Sequence, residues 1–206
     1  MRLRFAAAFT LSWLGVATTA LAEQHSPRPY EAALRLGYSS GSVLGVPGFT
    51  FIGLEAGYHL SARWSVGPYA EVGFIDSVVQ RHEGPETFLG HHYRLGAQVL
   101  LQGLPKGLID PWLGGGIGYA SLGVDVHSTI ASASSVVTAD YRETARGFEW
   151  LHLQGGVNLN LAPALALGAF ARLSIVDYLS QHRQAGEPHE PTRAWLSCGA
   201  KATLRF

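Results

Sequence analysis

Apolar and polar residues alternate with a period of two along most of this chain, and the pattern is cleanest at its end. From Leu196 to Phe206 the apolar set is Leu196, Cys198, Ala200, Ala202, Leu204 and Phe206. The residues between them (Ser197, Gly199, Lys201, Thr203, Arg205) are polar or small. Successive side chains of a strand point to opposite faces, so this run predicts a strand with one apolar and one wet face. Seven earlier segments read the same way: 32–38, 51–60, 64–74, 91–101, 111–121, 149–161 and 165–177. Their apolar faces carry, for example, Leu34 and Leu36, Leu54 and Tyr58, Val72 and Phe74, Leu95 and Val99, Leu113 and Ile117, Leu151 and Leu153, Leu167 and Leu173.

The connections alternate in length. Ser61-Ala62-Arg63, Ala162-Pro163-Ala164 and the stretch 103–110, with Pro105 and Gly107, are short turns; 39–50, 75–90, 122–148 and 178–194 are long and polar. An even number of alternating strands, joined by short turns at one end and long loops at the other, predicts an all-β protein: an eight-stranded antiparallel up-and-down barrel that crosses a membrane. A soluble barrel of the lipocalin kind is the rival, and the two differ in which face is apolar. The second face here carries Arg35, Glu55, Glu71, Arg94, Gln98, His152, Gln154, Asn158, Arg172 and Lys201. Such a set suits a wet, mutually paired lumen with the apolar face against lipid. Slipping the register by one residue would turn these charges outward, at a cost on the order of 10 kcal/mol. Outward aromatics also sort by height. Tyr38, Phe74, Tyr93 and Tyr119 lie near the loop ends, whereas Tyr58, Trp64 and Phe206 lie near the turn ends. Two such belts are what anchoring at both membrane interfaces requires.

Residues 1–22 read as a cleaved signal peptide: Arg2 and Arg4, an apolar run from Phe5, and Ala20-Leu21-Ala22 as the cleavage site. Residues 23–30 then form a short N-terminal segment and 31–206 the barrel. Losing Arg2 and Arg4 leaves 13 of the 15 basic residues against 15 acidic ones, a net charge of −2, which argues against nucleic acid as a partner. Cys198 is the single cysteine, so no intrachain disulfide forms.

The closing strand, ending on Phe206, resembles that of bacterial outer-membrane β-barrels, in which a terminal aromatic strand is the sorting signal read by the assembly machinery. Across the mature chain the pattern resembles the small barrels of the OmpA, OmpX and OmpW type. The resemblance implies residence in the outer membrane of a Gram-negative bacterium, periplasmic termini and four extracellular loops. It also implies, as partners, outer-membrane lipid and lipopolysaccharide, and the barrel assembly machinery during insertion, with Phe206 as the assembly signal.

Several groups are candidates for function. Arg35, Glu55, Glu71, Arg94, Arg172 and Lys201 are expected to form a charge network in the lumen, with Glu71 paired to Arg94 and Glu55 to Arg35 or Lys201. Such a network either plugs the barrel or gates a polar pore. Phe51, Tyr178 and Trp195 have inward parity near the loop ends; they would line a mouth pocket if the barrel passes small hydrophobic molecules in the OmpW manner, with Pro68 and Gly114-Gly115-Gly116 as weak points for lateral opening. Some related barrels deacylate lipid A, and His91, Ser121 and Glu149 have outward parity near three loop ends, as base, nucleophile and orienter. The local motif of that family is absent, so no enzymatic activity is expected. No metal-ligand spacing appears in the acidic loops, and no cofactor is expected. Residues 124–145 are rich in Ser, Thr, Val and Ala, a strand-forming composition, so the third loop is expected to be a protruding hairpin whose edge pairs with a partner. The expected role is envelope structure or surface interaction through the loops with an extracellular protein; passage of a small hydrophobic ligand is the alternative.

Overall fold

A computed structural model of the protein describes residues 28–40, 48–81, 84–132, 135–182 and 192–206. The expected signal peptide and most of the segment after it lie outside the described residues. Eight strands form one sheet: β1 (Tyr30–Ser40), β2 (Phe49–His59), β3 (Trp64–Arg81), β4 (Gly84–Gln102), β5 (Ile109–Ser132), β6 (Ser135–Ala162), β7 (Leu165–His182) and β8 (Thr192–Arg205). Each pairs antiparallel with its chain neighbours, and β8 returns to β1 to close the barrel.

Followed around the barrel, the register climbs. Tyr30 faces Tyr58, and the path continues through Val66, Val99, Gly115, Leu153, Leu173 and Leu196. Leu196 then faces Ser40, so the circuit closes ten residues above its start at Tyr30. A fixed stagger of this kind tilts the strands by about 35–45° and leaves, with eight strands, an interior just wide enough for side chains.

The alternation sorts the faces. Leu34, Leu54, Leu95, Leu113, Leu153, Leu173 and Leu204 point outward with exposures of 40–66%. The polar set from Arg35 to Lys201 points inward and is buried throughout. An apolar exterior around a charged interior is the reverse of a lipocalin, and a belt of leucines this continuous needs lipid rather than water around it.

Two features depart from the expected pattern. The first is length. β3 and β4 run on to Arg81 and Gly84 through the expected loop 75–90, and β5 and β6 run on to Ser132 and Ser135. Alternation does not stop at the membrane edge, because Ile75, Phe88, Val124 and Val126 continue the inward face. β3, β4, β5 and β6 thus continue above β1, β2 and β8 as a four-stranded fin, in which the β5–β6 hairpin is the longest part and rises beyond β7, itself as long as β3 at 18 residues. The second is a β-bulge in β6. Gly116 faces His152 and Gly118 faces Glu149, so Trp150 and Leu151 together stand opposite Ile117. Pairing with β7 slips at the same place, between Glu149 and Leu151. A bulge inserts one residue and reverses the facing of everything beyond it.

Candidate functional site

The interior polar groups form two connected levels. In the lower one, Arg35 of β1 and Lys201 of β8 are register neighbours, and both reach Glu55 of β2. The Arg35 Nη2–Glu55 Oε1 distance is 2.6 Å and the Lys201 Nζ–Glu55 Oε2 distance is 2.8 Å. Glu55 therefore takes both partners that its parity offered. Arg35 Nη1 also donates to Gln154 Oε1 at 2.7 Å, and Gln154 Nε2 donates to Gln98 Oε1 at 2.9 Å. The chain of contacts crosses the barrel from β1 to β6 and on to β4.

In the upper level Glu71 of β3 accepts from both Nη atoms of Arg172, at 2.7 and 2.9 Å, and pairs with Arg94 at 3.4 Å. Glu71 and Arg94 face each other in the β3–β4 ladder, as their parity and height predict. Arg94 also pairs with Glu149 of β6 and donates to Ser174 of β7 at 3.1 Å. Tyr69 donates to the other oxygen of Glu149 at 2.5 Å, and His152 stands 3.6 Å from the same oxygen. Four cations (Arg35, Arg94, Arg172, Lys201) thus share three carboxylates (Glu55, Glu71, Glu149). Ring faces take up the excess: Arg35 lies over Phe170 at 4.6 Å, Lys201 over Trp112 at 4.8 Å and Arg172 over Phe51 at 5.3 Å. Desolvating one ion costs several kcal/mol, so the lattice holds together only because each charge has several partners.

Toward the loops the interior turns apolar. Phe49, Ile75, Phe88, Leu122, Val124, Val126, Val176, Tyr178 and Trp195 form one buried cluster, with Phe51 at its lower side. His92 sits within it, 4.8 Å from the Phe49 ring and 5.6 Å from Trp195 by ring centroids. The three residues expected at a mouth pocket therefore pack into one cluster: Phe51, Tyr178 and Trp195 are 3%, 1% and 3% exposed. The close fit shows in the backbone as well. A Cβ on Gly37 would lie 2.7 Å from the Phe51 ring and 2.5 Å from the Cys198 carbonyl oxygen, which only glycine tolerates.

The set His91, Ser121 and Glu149 is not assembled on one face. His91 and Ser121 lie on the outer face of β4 and β5, where the His91 ring stands 4.9 Å from Tyr93. Glu149 lies inside, 0% exposed and held by Arg94 and Tyr69. The expectation of outward parity for Glu149 is corrected by the bulge at Trp150, which flips it away from the apolar run that starts at Leu151. Among the described residues no group of three His, Cys, Asp or Glu is placed to hold a metal.

Phe206 is 64% exposed at the turn end and stacks on Tyr30 with ring centroids 6.2 Å apart. Its backbone is tied to Tyr30 in both directions, at 3.1 and 2.9 Å, which fixes the end of the barrel seam. Sequence reasoning missed Glu31, His59 and His92 as interior groups. All three are buried. His59 and His92 have inward parity in segments already read as strands, so alternation alone could have found them.

A family model described as the outer membrane protein beta-barrel domain matches residues 7–189. Among solved structures the chain is similar to Neisserial surface protein A, with a TM-score of 0.55 and 15% identity, over 86% of this chain and 96% of that one. It is also similar to a major outer membrane protein from Thermus thermophilus, with a TM-score of 0.51 and 13% identity, over 88% of this chain and 100% of that one. At these identities the shared property is the fold. No protein of curated function matches the chain.

Proposed function

The chain belongs to the outer membrane protein β-barrel domain family, and from that premise we propose that it is a closed envelope barrel that presents its β-fin to a partner outside the cell. The fin is the observation that carries this reading. Among the described residues, the ladder between β6 and β7 starts at Thr144 opposite His182, so the backbone of β6 from Glu143 up to Ser135 at the hairpin tip rises beyond that ladder as a sheet edge. On the far side of the fin, β3 pairs with β2 only up to Phe74 opposite Thr50. A strand edge offers N–H and C=O groups in a regular row, which an extended segment of another protein can complete. The charge lattice and the apolar cluster above it support a lumen closed to solutes, and they favour surface interaction over passage of small hydrophobic molecules. Exposed aromatics at both ends of the strands, such as Tyr93 and Tyr58, support direct contact with membrane lipid, including lipopolysaccharide in the outer leaflet. Phe206, tied into the seam, is suited to be the signal for the assembly machinery after export by a cleaved leader.

The test replaces residues 127–140 with Asn-Gly, which joins β5 and β6 just above the ladder pair Val126 and Tyr141. Bacteria producing this variant are expected to lose adherence to immobilised extracellular proteins while the shortened barrel still inserts. Equal adherence of both strains would remove the fin from the function.

A further inference from the structure

The turn end of the barrel, which faces the periplasm, opens into a vestibule of about 1120 Å³. Arg28, Lys106 and Arg205 bring three cationic side chains to its wall, with His59, Gln102 and Asn160 between them. Among the described residues that line it there is no carboxylate.

Two of these groups are more than solvated surface bases. Arg205 is braced from behind: Nη1 donates to Asn160 Oδ1 at 3.1 Å, and Nη2 lies 3.8 Å from Asp110 Oδ2. Its Nε and Nη2 are nevertheless buried without a hydrogen-bond partner among the described residues. His59 is 4% exposed and is anchored on the other side, with Nε2 3.2 Å from Glu31 Oε2. Glu31 in turn accepts from Ser65 at 2.9 Å, which fixes the imidazole in its orientation. The other ring nitrogen, Nδ1, has no partner among the described residues. Leaving a buried donor unsatisfied costs about 1–3 kcal/mol, and more when it is charged. Here the two residues that carry these groups line a cavity of the size that binds small molecules.

The anion suited to this geometry must accept from several directions at once, because Arg205, His59 and Lys106 stand on different strands and turns. A planar carboxylate offers two oxygens in one plane, whereas a phosphate offers three or four in a tetrahedron. We propose that the periplasmic vestibule is a binding site for a phosphate-bearing ligand, held by Arg205, Lys106 and His59. Leu108 and Leu161 complete the wall and give the ligand's non-phosphate part an apolar surface. Two sources share this chemistry: the headgroup of an anionic lipid in the inner leaflet and a phosphorylated solute of the periplasm.

The experiment uses the full barrel in phosphatidylcholine nanodiscs, titrated with inorganic pyrophosphate in a calorimeter. Saturable binding is expected, weakening as salt rises. Lys106→Glu reverses one charge on an exposed turn and is expected to weaken binding about tenfold or more. Retained heat-modifiable mobility on a gel would show that this variant still folds. The same titration in nanodiscs containing phosphatidylglycerol separates the sources: lost pyrophosphate binding assigns the site to lipid headgroups, and unchanged binding assigns it to a soluble phosphate. No saturable binding in phosphatidylcholine, or equal affinity of the wild type and Lys106→Glu, would overturn the proposal.

Discussion

Glu71 shows what a single residue contributes to this interior. It accepts two bonds from Arg172 and faces Arg94, and all three side chains are buried. Glu71→Gln keeps the shape and removes the charge, leaving two guanidinium groups with one carboxylate fewer. Breaking a buried ion pair from one side typically costs about 3–5 kcal/mol, and that loss is expected in denaturant unfolding of the barrel. The double change Glu71→Leu with Arg172→Met removes the pair together and is expected to cost less than Glu71→Gln alone. A single variant as stable as the wild type would mean that the lattice is not what holds the interior. Parity made most of this lattice legible in the sequence, since each of its charges from Arg35 to Lys201 falls between two outward apolar residues. Parity and height predicted the Glu71–Arg94 pair, but they did not show that Arg172, across the barrel, is the closer partner of Glu71. Glu55 has two, and Glu149 enters from a position whose local pattern reads the other way.

Glu149 belongs to the scale of the element, because its placement depends on the bulge in β6. Below the bulge the outward residues are Leu151, Leu153 and Val157; above it they are Phe148 and Trp150. Both sets lie outward only if the strand takes in one extra residue between them. The sequence did contain that signal, as a switch from odd to even numbering of the large apolar residues. It was hidden because Glu149 extends the odd series without a break. Deleting Trp150 removes the extra residue and leaves Leu151 outward, Glu149 inward and Phe148 outward in unbroken alternation. The deletion is therefore expected to unfold at about the same midpoint as Trp150→Ala, which keeps the bulge and loses only the ring. A deletion that prevents folding while Trp150→Ala folds would show that the bulge itself is required for the strand to continue. The lengths of β3 to β6 were legible only in part. Residues 124–145 read as strand from composition, but 75–90, with Gly84 and Pro85, read as loop. There the cross-strand partner, rather than local propensity, extends the ladder.

At the scale of the molecule, the chain is polarised along the barrel axis. Outward leucines and two belts of aromatics match a bilayer, the interior is held by paired charges, and an apolar cluster lies beneath the loops. One end rises as a fin and the other opens as a basic vestibule. The architecture was almost wholly legible, because a closed barrel repeats one simple rule eight times and a register slip would expose charges to lipid. The vestibule was not legible, since Arg205, Lys106 and His59 meet only once the barrel closes. An interior so filled that nothing passes is the property on which the proposed role depends most. Single-molecule conductance of the purified barrel in a planar bilayer tests this directly. The packed lattice and the cluster above it predict a silent bilayer with the wild-type protein. Steady open currents that disappear with Glu71→Ala would contradict the account and make the charged interior a pore.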